Sequence, residues 1–362
     1  MMKVDVLVVG LGPGGGCAAA AAAGCRVLAV DRRRRIGEPV QCAEFIPMPL
    51  GRYARADGVL KQRIDGMKST LPSGAVRRSP FPGLMIDRAA FDRALAERAQ
   101  LAGAELRAHT RLAALDLVAG RAVLASAHGC ETVAFGALIA ADGPHSATAR
   151  LAGLPALATV QTRQYTVPLM RAYRDTDIWL SDDFPGGYGW LFPKGPVANL
   201  GLGADPRFAA DLKAPLDRLH RELADAGLVG REILARTGGA IPVGGMRARL
   251  VAGGIVFVGD AAGLTHPITG GGIAAAVTSG EAAGRAVADY LGSGDAGALV
   301  SYEEDMRDQF GPTLARAVAR RRYLAGHWRK PSARDDAVQR RGWIAFEEYF
   351  ESDARFKIQD TR

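Results

Sequence analysis

Val4-Asp5-Val6-Leu7-Val8-Val9-Gly10-Leu11-Gly12-Pro13-Gly14-Gly15 is the stretch whose reading decides the fold. Its first six residues, within Met2 to Val9, are apolar apart from Asp5 and largely β-branched, the composition of a short buried strand. The next six match G-x-G-x-x-G. An alanine-rich helix is expected from Cys17 to Gly24, because alanine is the best helix former. A second strand, Cys25 to Val30, ends in Asp31. Each part has a geometric reason. Gly10 permits the tight turn, Gly12 lets a pyrophosphate approach the backbone, and Gly15 lets helix and strand pack closely. Free N–H groups and the dipole at the helix start favour phosphate charge. Asp31 follows the first glycine by about twenty residues, where an acid hydrogen-bonds a ribose 2′-hydroxyl. A side chain at Gly12 is expected to obstruct both the ligand and the local backbone.

Two further strands end in the same way. Gly136 to Ala141 runs into Asp142-Gly143-Pro144-His145-Ser146, and Gly254 to Val258 runs into Gly259-Asp260. The carboxyl edge of an open α/β sheet is where ligands bind. One nucleotide domain assembled from three separated chain segments is therefore expected, with a substrate domain inserted between them.

The chain has 362 residues, which suits two domains. Lys and Arg number 46 against 38 Asp and Glu, a net charge of +8. The charge is concentrated in Arg32 to Arg35 and Arg320 to Arg322. It suits a cofactor phosphate, an acidic protein or lipid headgroups. Nucleic acid has no recognition motif here. Cys17, Cys25, Cys42 and Cys130 lack metal spacing, which implies reduced thiols in a cytoplasm and no metal site. Val6 to Cys25 is uncharged, but six glycines and a proline make it a βαβ unit rather than a membrane span. No Ser–His–Asp order or P-loop supports hydrolysis or phosphoryl transfer.

The remaining elements read as follows. Val59 to Val76 is a hairpin turning at Pro72-Ser73-Gly74. Asp87 caps a helix to Ala102, with Phe91, Leu95 and Leu101 on its apolar face. Leu112 to Val118, Ala122 to Ala127 and Glu131 to Phe135 are short strands. Val160 to Gly203 is antiparallel, with turns at Pro185-Gly186-Gly187 and Lys194-Gly195-Pro196. Leu212 to Gly227 and Gly230 to Thr237 are read as helices. Gly270-Gly271-Gly272 precedes an alanine-rich helix, Ile273 to Leu291. The segment from Leu299 to Arg362 is read as helical, and Arg316 to Lys330 as a solvated face that could meet an acidic partner.

The three glycine–acid motifs, Gly10 to Gly15, Ala141 to Ser146 and Gly259-Asp260-Ala261-Ala262-Gly263, together resemble the FAD-binding fold of p-hydroxybenzoate hydroxylase-like monooxygenases and the geranylgeranyl reductase family. Gln41-Cys42-Ala43-Glu44, the run Tyr188 to Gly195, Asn199 to Gly203 and Pro267 to Ile273 resemble the geranylgeranyl reductase branch. His266 and Ala43 depart from that pattern, which more often has Asn and Gly there. The resemblance implies an α/β fold: a Rossmann-like FAD domain (1–50, 77–155 and 245–298), a mixed or antiparallel-sheet substrate domain (51–76 and 156–244) and a helical region (299–362).

It also implies roles. FAD would be bound by Gly10, Gly12, Pro13, Gly14, Gly15, Asp31 and Arg32 at the adenosine and pyrophosphate end. Cys42, Asp142, Gly143, Gly259, Asp260, Pro267, Gly270, Gly271, Gly272 and Ile273 would complete the cofactor site. Cys42, Tyr188, Trp190 and His266 would be the catalytic group, with NAD(P)H or another electron donor as transient reductant. The expected reaction is reduction of an isoprenoid-like C=C bond through reduced FAD. The alternatives are a monooxygenase acting on an aromatic ring, on a partner protein's side chain for instance, and an electron-transfer flavoprotein. The aromatic alternation at Tyr188, Trp190 and Phe192 places all three on one strand face, predicting an apolar pocket wall with Cys42 at its rim.

Overall fold

The computed structural model describes residues 1–351. It has an eight-stranded sheet and a nine-stranded sheet. The first contains the parallel order Ile255–Phe257, Gly129–Ala140, Met2–Val9, Val27–Val30, Glu105–Arg107. Its register brings the sequence motifs together. Val9 pairs with both Val30 and Ala140, and Ala140 pairs with Phe257. Gly10, Asp31, Asp142 and the Gly259-Asp260 pair therefore emerge along one carboxyl edge, though they are far apart in sequence.

The helices are α1 (Pro13–Ala21), α2 (Arg88–Leu101), α3 (Ala147–Leu151), α4 (Lys213–Asp225), α5 (Ile273–Ser293), α6 (Gly297–Ala325) and α7 (Asp336–Gly342). The first helix begins at Pro13, four residues before the expected Cys17. Proline at the first helical position costs no hydrogen bond. Small residues let α1 and α5 approach backbone to backbone. A Cβ on Gly280 would lie 2.2 Å from the Gly14 carbonyl oxygen, and one on Gly284 2.4 Å from that of Ala18. Because 14 meets 280 and 18 meets 284, the two helices run parallel and start at the same end of the molecule.

The second sheet carries Leu60–Thr70, Val76–Ile86, Thr159–Pro168, Asp175–Trp179, Gly189–Lys194 and Val197–Ala204, with shorter strands at its margins. The expected hairpin at 59–76 is present, but its second strand runs to Ile86 and Phe45–Pro47 pairs with it. The divisions drawn at residues 50 and 76 therefore do not follow sheet membership. Gly230 to Thr237 is not a helix: Ala235–Thr237 pairs with Thr159–Pro168. Glu131–Phe135 and the strand from Gly136 are one continuous strand. Asp87 does cap α2, accepting from the Ala90 N–H, and Phe91 and Leu95 are buried, but Leu101, in the last turn, is exposed.

The nine-stranded sheet has two apolar faces. Tyr165, Val167, Leu191 and Leu200 pack under α4, while Trp190, Tyr188 and Phe192 share the other side with Ile268, Trp343, Phe346 and Tyr349. The Arg316 to Lys330 stretch is only partly a solvated face. Arg320 is buried and donates to the Tyr349 and Glu351 carbonyls, Arg321 donates to the Gly186 carbonyl, and Trp328 is buried. Residues 352–362 of the expected helical region lie outside the described residues.

Candidate functional site

The edge of the parallel sheet forms a cradle. Gly10 has φ +101, and a Cβ there would meet the Ala141 carbonyl oxygen at 2.3 Å. A Cβ on Gly15 would stand 1.8 Å from the Gly10 carbonyl oxygen. Both glycines are fixed by the fold itself. Gly12 differs. Its backbone is extended, φ −76 and ψ −171, and a Cβ would find only the Arg88 guanidinium, at 3.9 Å. The backbone strain expected for a side chain here is therefore absent, and the space beside Gly12 is left open.

No side chain caps α1 or α5. Their first-turn N–H groups lack intrahelical partners. The two parallel helices start on the same side of the molecule, about a turn apart, and both turn positive dipole ends toward the sheet edge. Arg88 adds a full charge beside Gly12, and its Nε holds Asp92 at 2.7 Å. Burial works against the Arg88 charge, but Asp92 outweighs it and the pKa is raised. These donors fit the pyrophosphate of FAD. Asp31 is fixed for a ribose, accepting from the N–H groups of Leu11 and Arg33, both at 2.8 Å. Arg32 beside it is exposed and forms no ion pair among the described residues.

Asp260 sits at the α5 side of the cradle, where burial raises its pKa and the Thr265 hydroxyl, donating to it, opposes the rise. A Cβ on Gly272 would lie 2.7 Å from Thr265 Oγ1 and 3.0 Å from Asp260 Oδ1, so only glycine leaves this carboxylate approachable. Asp142 is already committed. It accepts from the Ser146 hydroxyl and from Thr148 N and Oγ1, an arrangement that pins the start of α3. Gly143 has φ +82 and nothing near its Cβ position.

The loop from His266 to Gly271 closes on itself. The His266 N–H donates to the Gly271 carbonyl and the Gly270 N–H to the His266 carbonyl. The His266 ring is consumed by this loop: Nδ1 accepts from the Thr269 N–H at 3.2 Å, and Nε2 lies 3.3 Å from the Tyr349 hydroxyl. Burial lowers its pKa to about 4. A neutral ring with both nitrogens engaged braces the loop, which leaves neither nitrogen free for the catalytic role expected from the sequence. This gives a pH prediction. The unfolded histidine binds a proton below its ordinary pKa of 6.5, while the folded one does so only near 4. Stability is then complete above pH 6.5 and falls as pH drops toward 4, by at most about 3 kcal/mol. Urea midpoints measured from pH 7 to pH 4.5 should fall more for the wild type than for His266→Asn. An equal fall in both proteins contradicts the assignment.

The aromatic wall faces this loop. The Tyr188 hydroxyl donates to the Thr269 carbonyl at 2.5 Å, and its ring lies 5.7 Å from that of Trp190. Trp190 Nε1 donates to Gln164 Oε1 at 3.2 Å, and Gln164 Nε2 donates to the Cys42 carbonyl at 3.1 Å. The wall is thus tied to the Cys42 loop through one amide. Cys42 Sγ accepts from the Glu44 N–H, and burial pushes its pKa up, so the thiol keeps its proton. Glu44 is buried and anchors this loop to the sheet. Its Oε2 accepts from Lys194 Nζ at 2.5 Å and Asn199 Nδ2 at 2.7 Å, and its Oε1 accepts from the Arg88 N–H at 2.9 Å.

The other side of the wall is covered by the C-terminal segment. Trp343 stacks edge-on against Tyr188 at 4.9 Å. A narrow cleft lined by Tyr188, Ile268, Phe208, Leu324 and Trp328 leads inward there. Arg88, Gln164 and Trp343 had no place in the site read from the sequence, and Glu44 and Lys194 stood only inside stretches quoted for the family resemblance. The Arg88–Asp92 spacing on a helix was the one local signal for any of them.

Among the described residues no group of His, Cys, Asp and Glu could hold a metal ion. The sequence model of the lycopene cyclase protein family matches residues 209–341. A digeranylgeranylglycerophospholipid reductase from Methanocella arvoryzae is 35% identical over 86% of this chain and 85% of its own length. A second reductase of that name, from Methanopyrus kandleri, is 37% identical over 88% of this chain and 90% of its own. The crystal structure of a geranylgeranyl bacteriochlorophyll reductase-like protein from Thermoplasma acidophilum superposes with a TM-score of 0.85 at 29% identity, covering 96% of this chain and 93% of that one. A p-nitrophenol 4-monooxygenase from Pseudomonas putida shares the fold, with a TM-score of 0.71 at 18% identity over 96% of this chain and 99% of that one.

Proposed function

Because the chain belongs to the geranylgeranyl reductase family of flavin-dependent oxidoreductases, we propose that it reduces a carbon–carbon double bond in an isoprenoid chain. FAD supplies the hydride in its reduced form, with NAD(P)H or another electron donor recharging it. The observation that carries the reading is the wall of Tyr188 and Trp190. Both polar atoms of the pair are bonded within the protein, to Thr269 and Gln164, and the rings pack with Ile268, Trp343, Phe346 and Tyr349, so the wall turns no polar atom toward a substrate. An alkene chain offers no hydrogen-bonding atom and needs none. An apolar wall also keeps water from the reaction.

Cys42, protonated at neutral pH, is our choice for the group that delivers a proton to the second carbon of the double bond. His266 cannot do so while braced and neutral. The aromatic hydroxylases share this fold alone, and no feature of the site favours their reaction. Among the described residues no helix is long and apolar enough to cross a membrane. An isoprenoid substrate lies in lipid, so the proposal includes peripheral contact with a membrane surface, which the net charge of +8 supports.

Trp190→Ala and Cys42→Ala test the reading together. Each is expected to keep its FAD. Turnover of an isoprenoid lipid should fall about a hundredfold in the cysteine variant, the scale of a lost proton donor. It should fall about tenfold in the tryptophan variant, where positioning is loosened. Full activity in both, at full flavin content, refutes the assignment.

A further inference from the structure

On the α4 side of the nine-stranded sheet, where strand Thr159–Pro168 meets Ala235–Thr237, lies an open recess of about 490 Å³. Arg163, Arg236 and Lys213 line it, together with Asp211, Thr237 and Gly238. We propose that this recess binds a phosphate group, carried by a phospholipid head or by a pyridine dinucleotide, a site separate from the flavin cradle.

The cations are placed in a way the fold alone does not explain. Tyr165 pairs directly with Arg236 across the strands, and Arg163 lies two residues before Tyr165, so all three side chains share one face. Both guanidinium carbons lie 5.8 Å from the Tyr165 ring centre. Arg163 and Arg236 are diagonal neighbours across the strands, and the Asp217 carboxylate offsets part of the Arg163 charge from a distance. Among the described residues neither arginine has a carboxylate partner, and Arg163 Nε is buried with no hydrogen-bond partner. The neighbouring acids are engaged elsewhere. Asp217 accepts from the Tyr165 hydroxyl at 2.7 Å and from Lys213 Nζ at 2.5 Å. Asp211 accepts from the first N–H groups of α4. Two guanidiniums beside one tyrosine ring, with no carboxylate in ion-pair contact among the described residues, offer the donors that planar recognition of phosphate requires.

The recess also adjoins the Cys42 loop. Gln41 Nε2 donates to the Gly238 carbonyl at 2.7 Å, and the Thr237 hydroxyl donates to the Val40 carbonyl at 2.6 Å. A phosphate held here would anchor a molecule whose remainder reaches toward that loop.

The test uses the FAD-loaded full chain and reads binding, so its outcome is separate from whether the reaction proposed above is right. Two probes are titrated: NADPH, and vesicles of equal parts phosphatidylglycerol and phosphatidylcholine. Arg236→Glu is the main variant, because Arg236 is exposed and its change leaves the core alone. Arg163→Ala is the second. Arg55→Glu, another exposed arginine, controls for general charge. At least tenfold weaker binding of one probe by Arg236→Glu, with flavin content unchanged and little effect from Arg55→Glu, is expected. NADPH as the affected probe assigns the recess to a dinucleotide, and the vesicles assign it to a lipid head. Binding of neither probe by the wild type, or equal losses in Arg236→Glu and Arg55→Glu, overturns the proposal.

Discussion

Gly12→Val is expected to fold normally and to hold no FAD. The expectation rests on a contrast within one motif. Gly10 and Gly15 are glycines because protein backbone occupies the place of a Cβ, at 2.3 and 1.8 Å. Gly12 has no such neighbour and adopts an extended conformation that valine adopts readily. The fold makes no demand on this residue. What lies around it is a set of donors: two uncapped helix starts and the Arg88 guanidinium, whose Nε is held by Asp92. A valine there would stand between those donors and any phosphate. Circular dichroism and thermal melting of the variant should match those of wild-type apoprotein, while its flavin absorbance at 450 nm, roughly the band of oxidised flavins, is absent. A Gly12→Val protein with full flavin content refutes the placement of the pyrophosphate. An unfolded one refutes the contrast with Gly10 and Gly15.

Lys194→Met should destabilise the protein by about 3 kcal/mol, because removing one partner of a buried ion pair strands the other charge. Glu44 would keep Asn199 and the Arg88 N–H but lose the one cation paired with it among the described residues. The carboxylate is nearly inaccessible, with 3% of its side chain exposed, while Lys194 is at 18%, which sets the value at the lower end of the usual range. Glu44 also holds φ +70, a conformation that disfavours side chains, so its hydrogen bonds keep the Cys42 loop in shape against local strain. Urea unfolding of the variant should show the loss. Lys194→Met combined with Glu44→Gln should recover part of it, since the stranded charge is gone. An unchanged midpoint in the single variant contradicts the ion-pair account.

The nucleotide half of the molecule was legible in the sequence because its signals are local. Strand, glycine turn and acid occur within a few residues of each other at Gly10, Asp142 and Asp260, and parallel register then aligns the strand ends. The aromatic wall was legible for the same reason, since alternation fixes which side chains share a face. The contacts that complete the site are not local. Lys194 reaches Glu44 across 150 residues, and Trp343 reaches Tyr188 only after the chain has passed through α6 and α7. Nothing in the spacing of those residues announces the pairing. The helix expected at Gly230 to Thr237 failed for a related reason: pairing with Thr159–Pro168 overrides a weak local preference. The bracing of His266 is not legible either, because a histidine in a functional loop reads the same in sequence whether it is free or held by Thr269 and Tyr349.

The central claim is the reduction of an isoprenoid double bond, and an anaerobic half-reaction tests it most directly. The flavin of the purified protein is reduced with dithionite, excess reductant is removed, and a geranylgeranyl phospholipid is added without oxygen. The account predicts that the oxidised flavin spectrum returns and that the lipid gains two hydrogen atoms for each flavin reoxidised, by mass. A flavin that stays reduced with the lipid and is reoxidised only when oxygen is admitted would contradict it.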